Sequence, residues 1–343
     1  MTGHDRARPH NNFDVLRIIA ASMVVIGHAW PLTGHVGVPR LGGISIHHLG
    51  VYVFFAISGF LLATSWARDP RAGAFLLRRA LRILPALIVV VLVSMLAIGP
   101  LITTATADEY WRSSTTWTYL INIVLLAQYD LPGVFTGNPT SAVNGSLWSL
   151  GPEFSSYLML VVVGMIGIRA SRWLRGALGA GIAGLTLLLP LHGALRTTAA
   201  AVIFFIVGSL IAELPRAWRL PIWPAVLGLV ALTPCSGTLG LAISWLVVPY
   251  AVIVIGTRSA PIAAWTRRIG DPSYGMYLWA FPAQQLLVMW WPDVPIALCI
   301  VILIPATAAI GALSWHLIEH RAIRLGSRLS ARRRRRETLC GVP

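Results

Sequence analysis

The sequence predicts an all-α integral membrane protein with about ten transmembrane helices, and three observations support this. Of the 343 residues, 56% are hydrophobic and only 11% are charged, whereas a soluble domain carries about 25% charged residues. The hydrophobic residues are concentrated in ten runs separated by polar loops. A crossing needs about 20 apolar residues, so ten crossings use about 200 residues, close to the hydrophobic content of the chain.

The ten runs define the domain organisation. They cover residues 15–33, 49–66, 83–102, 147–168, 177–191, 197–213, 222–235, 238–256, 274–291 and 296–318. We therefore expect an N-terminal cytoplasmic segment (1–14), one transmembrane domain (15–320) and an arginine-rich cytoplasmic tail (321–343). The longest segment between runs, 103–146, is half-apolar and rich in turn residues, which predicts a lid or re-entrant piece.

The distribution of arginine predicts the orientation. All 27 basic residues are arginines, against 12 acidic residues, and the net charge is +15. With both termini in the cytoplasm, Arg40, Arg112 and Arg196 lie outside, Arg17 lies within the first run, and the other 23 arginines lie inside. This arrangement satisfies the positive-inside rule. We expect a multi-pass protein of the inner (plasma) membrane that contacts anionic lipids and no nucleic acid.

The sequence lacks the patterns of a metal or disulfide-bonded protein. Its three cysteines are far apart, without the spacing of a metal site or of a disulfide framework. His35, His47 and His48 cluster near the predicted outer surface, but no ligand-spacing motif for zinc surrounds them. We interpret them as solvated histidines, and no metal is predicted.

Two ionisable residues of the first run, Arg17 and His28, are spaced for one face of a helix. Eleven residues at about 100° each give three turns plus about 20°, so both side chains project to the same side, about 16 Å apart. For Arg17 the alternative is a snorkelling arginine paired with Asp14. For His28 the alternative is a structural histidine near water, but an ionisable group inside the membrane indicates function.

Glu153 lies at the start of the fourth run. Counted along the helices, it lies about 9 Å below the outer surface, and His28 lies about 20 Å above the inner surface of a core about 30 Å thick. Because these depths coincide, we expect the Glu153 carboxylate to orient His28 for general-base chemistry. The alternative is a buried glutamate bonded to backbone groups that Pro152 leaves free.

Three arginines precede the third predicted helix. If this stretch is helical, Arg78 and Arg82 are neighbours at i, i+4, and Arg79 and Arg82 at i, i+3. Such a cluster of guanidinium groups suits bidentate binding of phosphate, which favours an anionic cosubstrate on the cytoplasmic face. The alternative, charge that sets the topology and binds anionic lipids, explains the cluster equally well.

Six segments occur in an order that identifies a family. They are R-x10-H from Arg17 to His28, G-x-x-x-F-F-x-x-S-G-F-L from Gly50 to Leu61, the arginines 78, 79 and 82, W-S-L-x-x-E from Trp148 to Glu153, S-Y-x-x-Y-L-W from Ser273 to Trp279, and the acidic residue Glu319. Together they resemble the acyltransferase-3 family of integral membrane acyltransferases, which O-acylate cell-surface sugars and some antibiotics. The resemblance extends almost from end to end.

The resemblance implies an acyl-CoA-dependent O-acyltransferase. Cytoplasmic acyl-CoA, in particular acetyl-CoA, would bind through Arg78, Arg79 and Arg82, with Arg17 at the inner rim. His28, oriented by Glu153, would act as base on a hydroxyl of a cell-surface carbohydrate or glycosylated acceptor. The remaining residues expected to bind substrate are Ser58, Trp148, Tyr274, Tyr277 and Gln284.

One position departs from the family pattern. Many members have a histidine after Y-L-W, where this chain has Ala280. No catalytic role can be assigned to that position, and we expect Gln284 to line the acceptor site instead.

The alternative function is a proton-coupled transporter or flippase of a glycan or small molecule. Such proteins also place arginine, histidine and glutamate within the membrane. The cytoplasmic arginine cluster favours the enzyme, because a proton-coupled carrier has no need of it.

Overall fold

The computed structural model describes residues 11–189, 191–215, 217–259, 266 and 270–326. The described chain is mostly helical, and its strands form one short hairpin, so the predicted all-α membrane fold is confirmed. The predicted N-terminal segment up to residue 10 and the tail after residue 326 lie outside the described residues. The cytoplasmic location of the termini stays a prediction.

Helices coincide with all ten predicted runs. The helices are α1 (Phe13–Leu32), α2 (Ile46–Arg68), α3 (Ala72–Val93), α4 (Ala107–Arg112), α5 (Ser114–Thr118), α6 (Leu150–Gly164), α7 (Ile168–Leu188), α8 (Gly193–Ile211), α9 (Trp223–Leu232), α10 (Gly237–Gly256), α11 (Ser273–Trp290) and α12 (Ile296–Ser314). Two of them, α3 and α12, are extended by π-helical turns at Ser94–Ile98 and Trp315–Glu319.

Seven helical stretches in the described chain are long and apolar enough to cross a membrane. They are α1, α2, α3 with its extension, α6 with the turn before it, α8, α10 and α12 with its extension. The helices α7 and α11 are long enough but less apolar. The predicted crossing at 222–235 is too short, because α9 has 10 residues and spans about 15 Å, half the thickness of a hydrocarbon core.

Helix α2 is packed closely against α1 and α8, and glycines make this possible. A Cβ atom added to Gly59 would lie 2.0 Å from the carbonyl oxygen of Phe205, and one added to Gly208 would lie 2.4 Å from that of Ala56. A Cβ atom on Gly50 would similarly meet the Ala20 carbonyl at 2.5 Å. Small residues of this kind allow membrane helices to approach to backbone contact.

The antiparallel pairing of α1 and α2 defines two ends of the bundle. At one end, which we call the arginine end, α1 begins near Arg17 and α3 carries Arg79 and Arg82. At the other, the histidine end, α1 finishes after His28 and α2 begins. A Cβ atom on Gly27 would lie 2.6 Å from the His47 nitrogen, so the two histidine-bearing stretches are in direct contact.

A short hairpin shapes the histidine end. Strands Arg40–Leu41 and Ile44–Ser45 pair antiparallel, with Arg40 opposite Ser45. The two residues between them, Gly42 and Gly43, have φ angles of +58° and +77°, which favours glycine and fits a tight two-residue hairpin turn.

The predicted lid or re-entrant segment is joined to α11. The side chain of Asn138 donates to the Gln285 carbonyl at 2.9 Å, and that of Asn144 donates to the Leu278 carbonyl at 2.9 Å. Asn144 is fully buried. The chain has therefore already entered the bundle before α6 begins.

Candidate active site

A cavity of about 760 Å³ lies between α1, α2, α3, α6 and α11 at the arginine end. Arg17, Arg79 and Arg82 line it, and Ser58 and Glu153 lie deeper along it. We call this space the arginine cavity.

Asp271, which lies just before α11, anchors two of these arginines. The Nη2 atom of Arg82 donates to its Oδ2 atom at 2.6 Å, and the Nη1 atom of Arg17 lies 3.6 Å from the same oxygen. Burial alone would raise the pKa of Asp271, but the charges of Arg82 and Arg17 and a hydrogen bond from Ser273 hold the pKa at about 2. The carboxylate is therefore ionised at neutral pH and joins α1, α3 and α11.

Arg79 differs from the other two arginines of the cavity. Its Nε atom is buried without a hydrogen-bond partner among the described residues, and its guanidinium lies 5.7 Å from the ring centroid of Phe75. A buried donor without a partner is unfavourable unless a ligand satisfies it. Arg79 is thus available to an anion that enters the cavity.

Glu153 lies in the arginine cavity and is held by two hydroxyl groups. Tyr157, one turn later on α6, donates to its Oε1 atom, and Ser58 of α2 donates to the same atom at 3.4 Å. The carboxylate is thus fixed between α2 and α6.

Two tyrosines of α11 complete this side of the cavity. Tyr274 donates to the Ile83 carbonyl of α3 at 2.9 Å. The hydroxyl group of Tyr277 lies 2.7 Å from the Ser149 Oγ atom and also donates to the Ser146 carbonyl. These bonds connect α11 to α3 and to the turn before α6.

His28 lies at the other end of the bundle in a group of three histidines. Its ring stacks on that of His47 with centroids 4.9 Å apart, and the rings of His47 and His48 are 4.3 Å apart. Phe281 meets His28 edge-on at 5.3 Å. The Nδ1 atom of His28 is buried without a hydrogen-bond partner among the described residues.

His48 faces a second cavity, of about 1590 Å³, at the histidine end. We call it the histidine cavity; Arg40, Tyr52, Trp148 and Arg196 also line it. Aromatic rings and arginines of this kind suit the binding of polar ring compounds.

A thin wall separates the two cavities. On α2, Val51 lines the arginine cavity and the next residue, Tyr52, lines the histidine cavity. Before α6, Ser149 lines the arginine cavity and the preceding residue, Trp148, lines the histidine cavity. Consecutive residues of two elements therefore face opposite compartments.

The structure contradicts the predicted contact between His28 and Glu153. Glu153 lines the same cavity as Arg17, whereas His28 lies eleven residues farther along α1, a rise of about 16 Å. The prediction counted the depth of Glu153 from an outer surface at residue 147. Because Asn144 is already buried beside α11, this count placed Glu153 too close to the histidine end.

Like His28, two other predicted residues are not among the residues that line either cavity. The Nη2 atom of Arg78 is 3.6 Å from a carboxylate oxygen of Asp69, away from the cavity that Arg79 and Arg82 line. Gln284 is buried between α11 and α1, where its Nε2 atom donates to the Val25 carbonyl at 2.7 Å and its Oε1 atom has no partner among the described residues. Ser58, Tyr274 and Tyr277 line the arginine cavity, and Trp148 lines the histidine cavity.

Sequence reasoning missed several residues of the site. Asp271 is 189 positions from Arg82, and only its place as an acidic residue in an otherwise basic loop could have indicated it. Tyr157 could have been found from its i, i+4 spacing to Glu153. His47 and His48, interpreted above as solvated, are half-buried in the histidine stack.

No group of three or more histidine, cysteine, aspartate or glutamate side chains that could hold a metal ion occurs within the described ranges. The acidic groups of the arginine cavity are instead bonded to arginine, serine and tyrosine side chains.

Comparisons with known proteins agree with the motif pattern. A family model described as an acyltransferase domain matches residues 10–315. The chain is 25% identical over 337 residues to an O-acetyl transferase of Shigella phage Sf6, covering 91% of this chain and 95% of that protein. It is 30% identical over 373 residues to nodulation protein 10 of Rhizobium leguminosarum bv. viciae, covering 94% and 96%. No solved structure matches. The predicted family resemblance is confirmed.

The role of Asp271 can be tested by Asp271→Asn. This change leaves the partly buried guanidinium groups of Arg17 and Arg82 without their shared countercharge, and breaking a buried pair on one side destabilises a protein by about 3–5 kcal/mol. We expect a clearly lower melting temperature in detergent. Asp108→Asn is the matched control, because its pair with Arg112 is exposed and should contribute little. Equal melting temperatures for the two variants would contradict a structural role of Asp271.

Proposed function

The chain belongs to the acyltransferase family that this domain model describes, and on that premise we propose that it is a membrane-bound O-acyltransferase that uses acyl-CoA. It transfers an acyl group, specifically acetyl, to a hydroxyl group of a cell-surface carbohydrate or related glycosylated acceptor. One observation carries this proposal: the arginine cavity and the histidine cavity lie back to back across a wall made by consecutive residues. A donor and an acceptor can thus approach from opposite ends.

Acyl-CoA is the proposed ligand of the arginine cavity, which we place on the cytoplasmic side by the positive-inside rule. The phosphates of CoA would bind Arg79 and Arg82, with Arg17 at the rim, because arginine forms bidentate, charge-assisted hydrogen bonds with phosphate. Asp271 holds Arg82 in position for this contact. The acyl thioester would then extend past Ser58 and Glu153 toward the wall.

The acceptor is proposed to occupy the histidine cavity, where Trp148 and Tyr52 offer surfaces for a sugar ring. Once the wall opens, His28, which lies behind His47 and His48, would act as general base: it takes the proton from the acceptor hydroxyl while the hydroxyl oxygen attacks the thioester carbonyl carbon. The carbon–sulfur bond breaks, the ester forms, and CoA leaves as a thiolate. General-base assistance of this kind contributes about 10² to 10⁴ in rate.

Glu153 and the wall between the two cavities have separate proposed roles in this reaction. The Glu153 carboxylate accepts hydrogen bonds from Tyr157 and Ser58 on the donor side, and by fixing these two hydroxyl groups it would position the acyl thioester. Transfer also requires the wall to open, and the part of it that is not α-helical is the 3₁₀ turn Gly145–Ser149.

Replacing His28 tests the proposed base. We expect His28→Ala to reduce transfer of radiolabelled acetyl from acetyl-CoA to surface glycan by about 10² to 10⁴, measured in membranes together with release of CoA thiol. The matched control is His35→Ala at the same end, because His35 is exposed and bonded to Thr33. Full transfer in the His28 variant would remove it from the mechanism. A transporter would move substrate without releasing thiol.

Arg79 lines the arginine cavity and the adjacent Arg78 does not, so replacing them should have different effects. Arg79→Gln should weaken binding of a non-hydrolysable acetyl-CoA analogue about tenfold or more, because hydrogen bonds to charged groups contribute about 1.5–3 kcal/mol. Arg78→Gln should change the affinity less than about twofold, since Arg78 faces Asp69 outside the cavity. An equal loss in both variants would contradict the assignment of the cavity to CoA.

A further inference from the structure

An apolar groove of about 1080 Å³ opens beside the histidine cavity. Val124, Leu126, Phe154 and Val202 are among its lining residues, and none of the described residues that line it is an Asp, Glu, Arg or His. Val124 and Leu126 are 67% and 61% exposed. In a membrane protein such a surface can contact hydrocarbon chains without a cost in free energy, because lipid chains are as apolar as the side chains.

The apolar groove and the histidine cavity are adjacent. Tyr129, Trp148 and Ala194 line both spaces. A single ligand can therefore place a polar group in the cavity and a hydrocarbon chain in the groove. A soluble sugar would fill the cavity and leave the groove unused.

The polar side of this junction is positively charged. Arg40 and Arg196 line the histidine cavity, and no aspartate or glutamate is among the described residues around it. Arg196 lies two positions after Ala194, one of the shared residues. Arg40 makes a long hydrogen bond of 3.4 Å to the Gly43 carbonyl. Two guanidinium groups without a carboxylate in the same cavity favour an anionic ligand, and phosphate matches their geometry best.

We propose that the acceptor is a lipid-linked glycan that carries phosphate at the linkage. The chain of the lipid lies in the apolar groove, Arg40 and Arg196 bind the phosphate, and the sugar projects into the histidine cavity toward His48 and Trp148. This inference rests on the proposed function and names its substrate class. It explains why a hydrocarbon-binding surface adjoins a cavity lined by arginine.

The test measures binding to the full-length protein in nanodiscs of phosphatidylcholine. The probes are a long-chain polyprenyl phosphate, the matching polyprenol and a hexose phosphate. We expect the polyprenyl phosphate to bind about tenfold or more tightly than either of the others, because it alone reaches both spaces. Equal affinity for the polyprenol would overturn the phosphate contact, and equal affinity for the hexose phosphate would overturn the groove contact.

Variants at the two contacts locate the binding. The double variant Arg40→Gln, Arg196→Gln should reduce the affinity for polyprenyl phosphate to that of the polyprenol, and Leu126→Glu should reduce it toward that of the hexose phosphate. The controls Arg112→Gln and Leu101→Glu change exposed residues elsewhere and should change the affinity less than twofold. Unchanged affinity in both test variants, or displacement by phosphatidylglycerol at equal concentration, would overturn the proposal.

A parallel measurement separates this inference from the proposed function. The same preparations are tested for binding of the acetyl-CoA analogue. If the analogue binds and polyprenyl phosphate does not, the lipid-linked acceptor is wrong and the transferase proposal stands. If polyprenyl phosphate binds and the analogue does not, the CoA-dependent function fails instead.

Discussion

The carboxylate of Asp271, held between the guanidinium groups of Arg82 and Arg17, is the interaction on which the arginine cavity depends. Each of the three residues belongs to a different part of the chain, and together they join the starts of α1, α3 and α11. Two arginines so close together in a partly buried place would repel each other without a countercharge. The shared carboxylate removes this repulsion and leaves Arg79 as the arginine whose Nε donor has no partner among the described residues. The arginine end of the bundle thus combines two arginines paired with Asp271 and a third, Arg79, whose Nε donor is available to a ligand.

The structure also separates the cavities proposed for the donor and the acceptor, which the reaction must bring together. The arginine cavity is the proposed site of a highly charged cosubstrate. The histidine cavity offers aromatic surfaces and His48, behind which lie His47 and then His28. Close packing at Gly59 and Gly208 holds α2 against α8. Consecutive residues of α2, Val51 and Tyr52, project in different directions and line different cavities.

The helices could be predicted from the sequence because the need to bury hydrophobic runs is a local signal. All ten runs became helices, although α9 is too short to cross. The family motifs predicted that Arg17, Arg79 and Arg82 lie at the same end of the bundle. By contrast, the depth of Glu153 could not be predicted, because it depends on how far segment 103–146 enters the bundle through Asn144. Asp271 was missed for a related reason, since its partner lies 189 residues away.

The assignment of the donor to the arginine cavity is tested most directly by photo-crosslinking. The probe is an acyl-CoA analogue that carries a diazirine in the acyl chain, and the labelled peptides are identified by mass spectrometry. If acyl-CoA binds as proposed, its acyl group lies at the inner end of the arginine cavity. This position predicts labels on residues around Ser58, Glu153 and Tyr277, and loss of these labels when unlabelled acetyl-CoA competes. Competable labels confined to the histidine cavity, around Arg40 and Arg196, would contradict the assignment of donor and acceptor to the two ends.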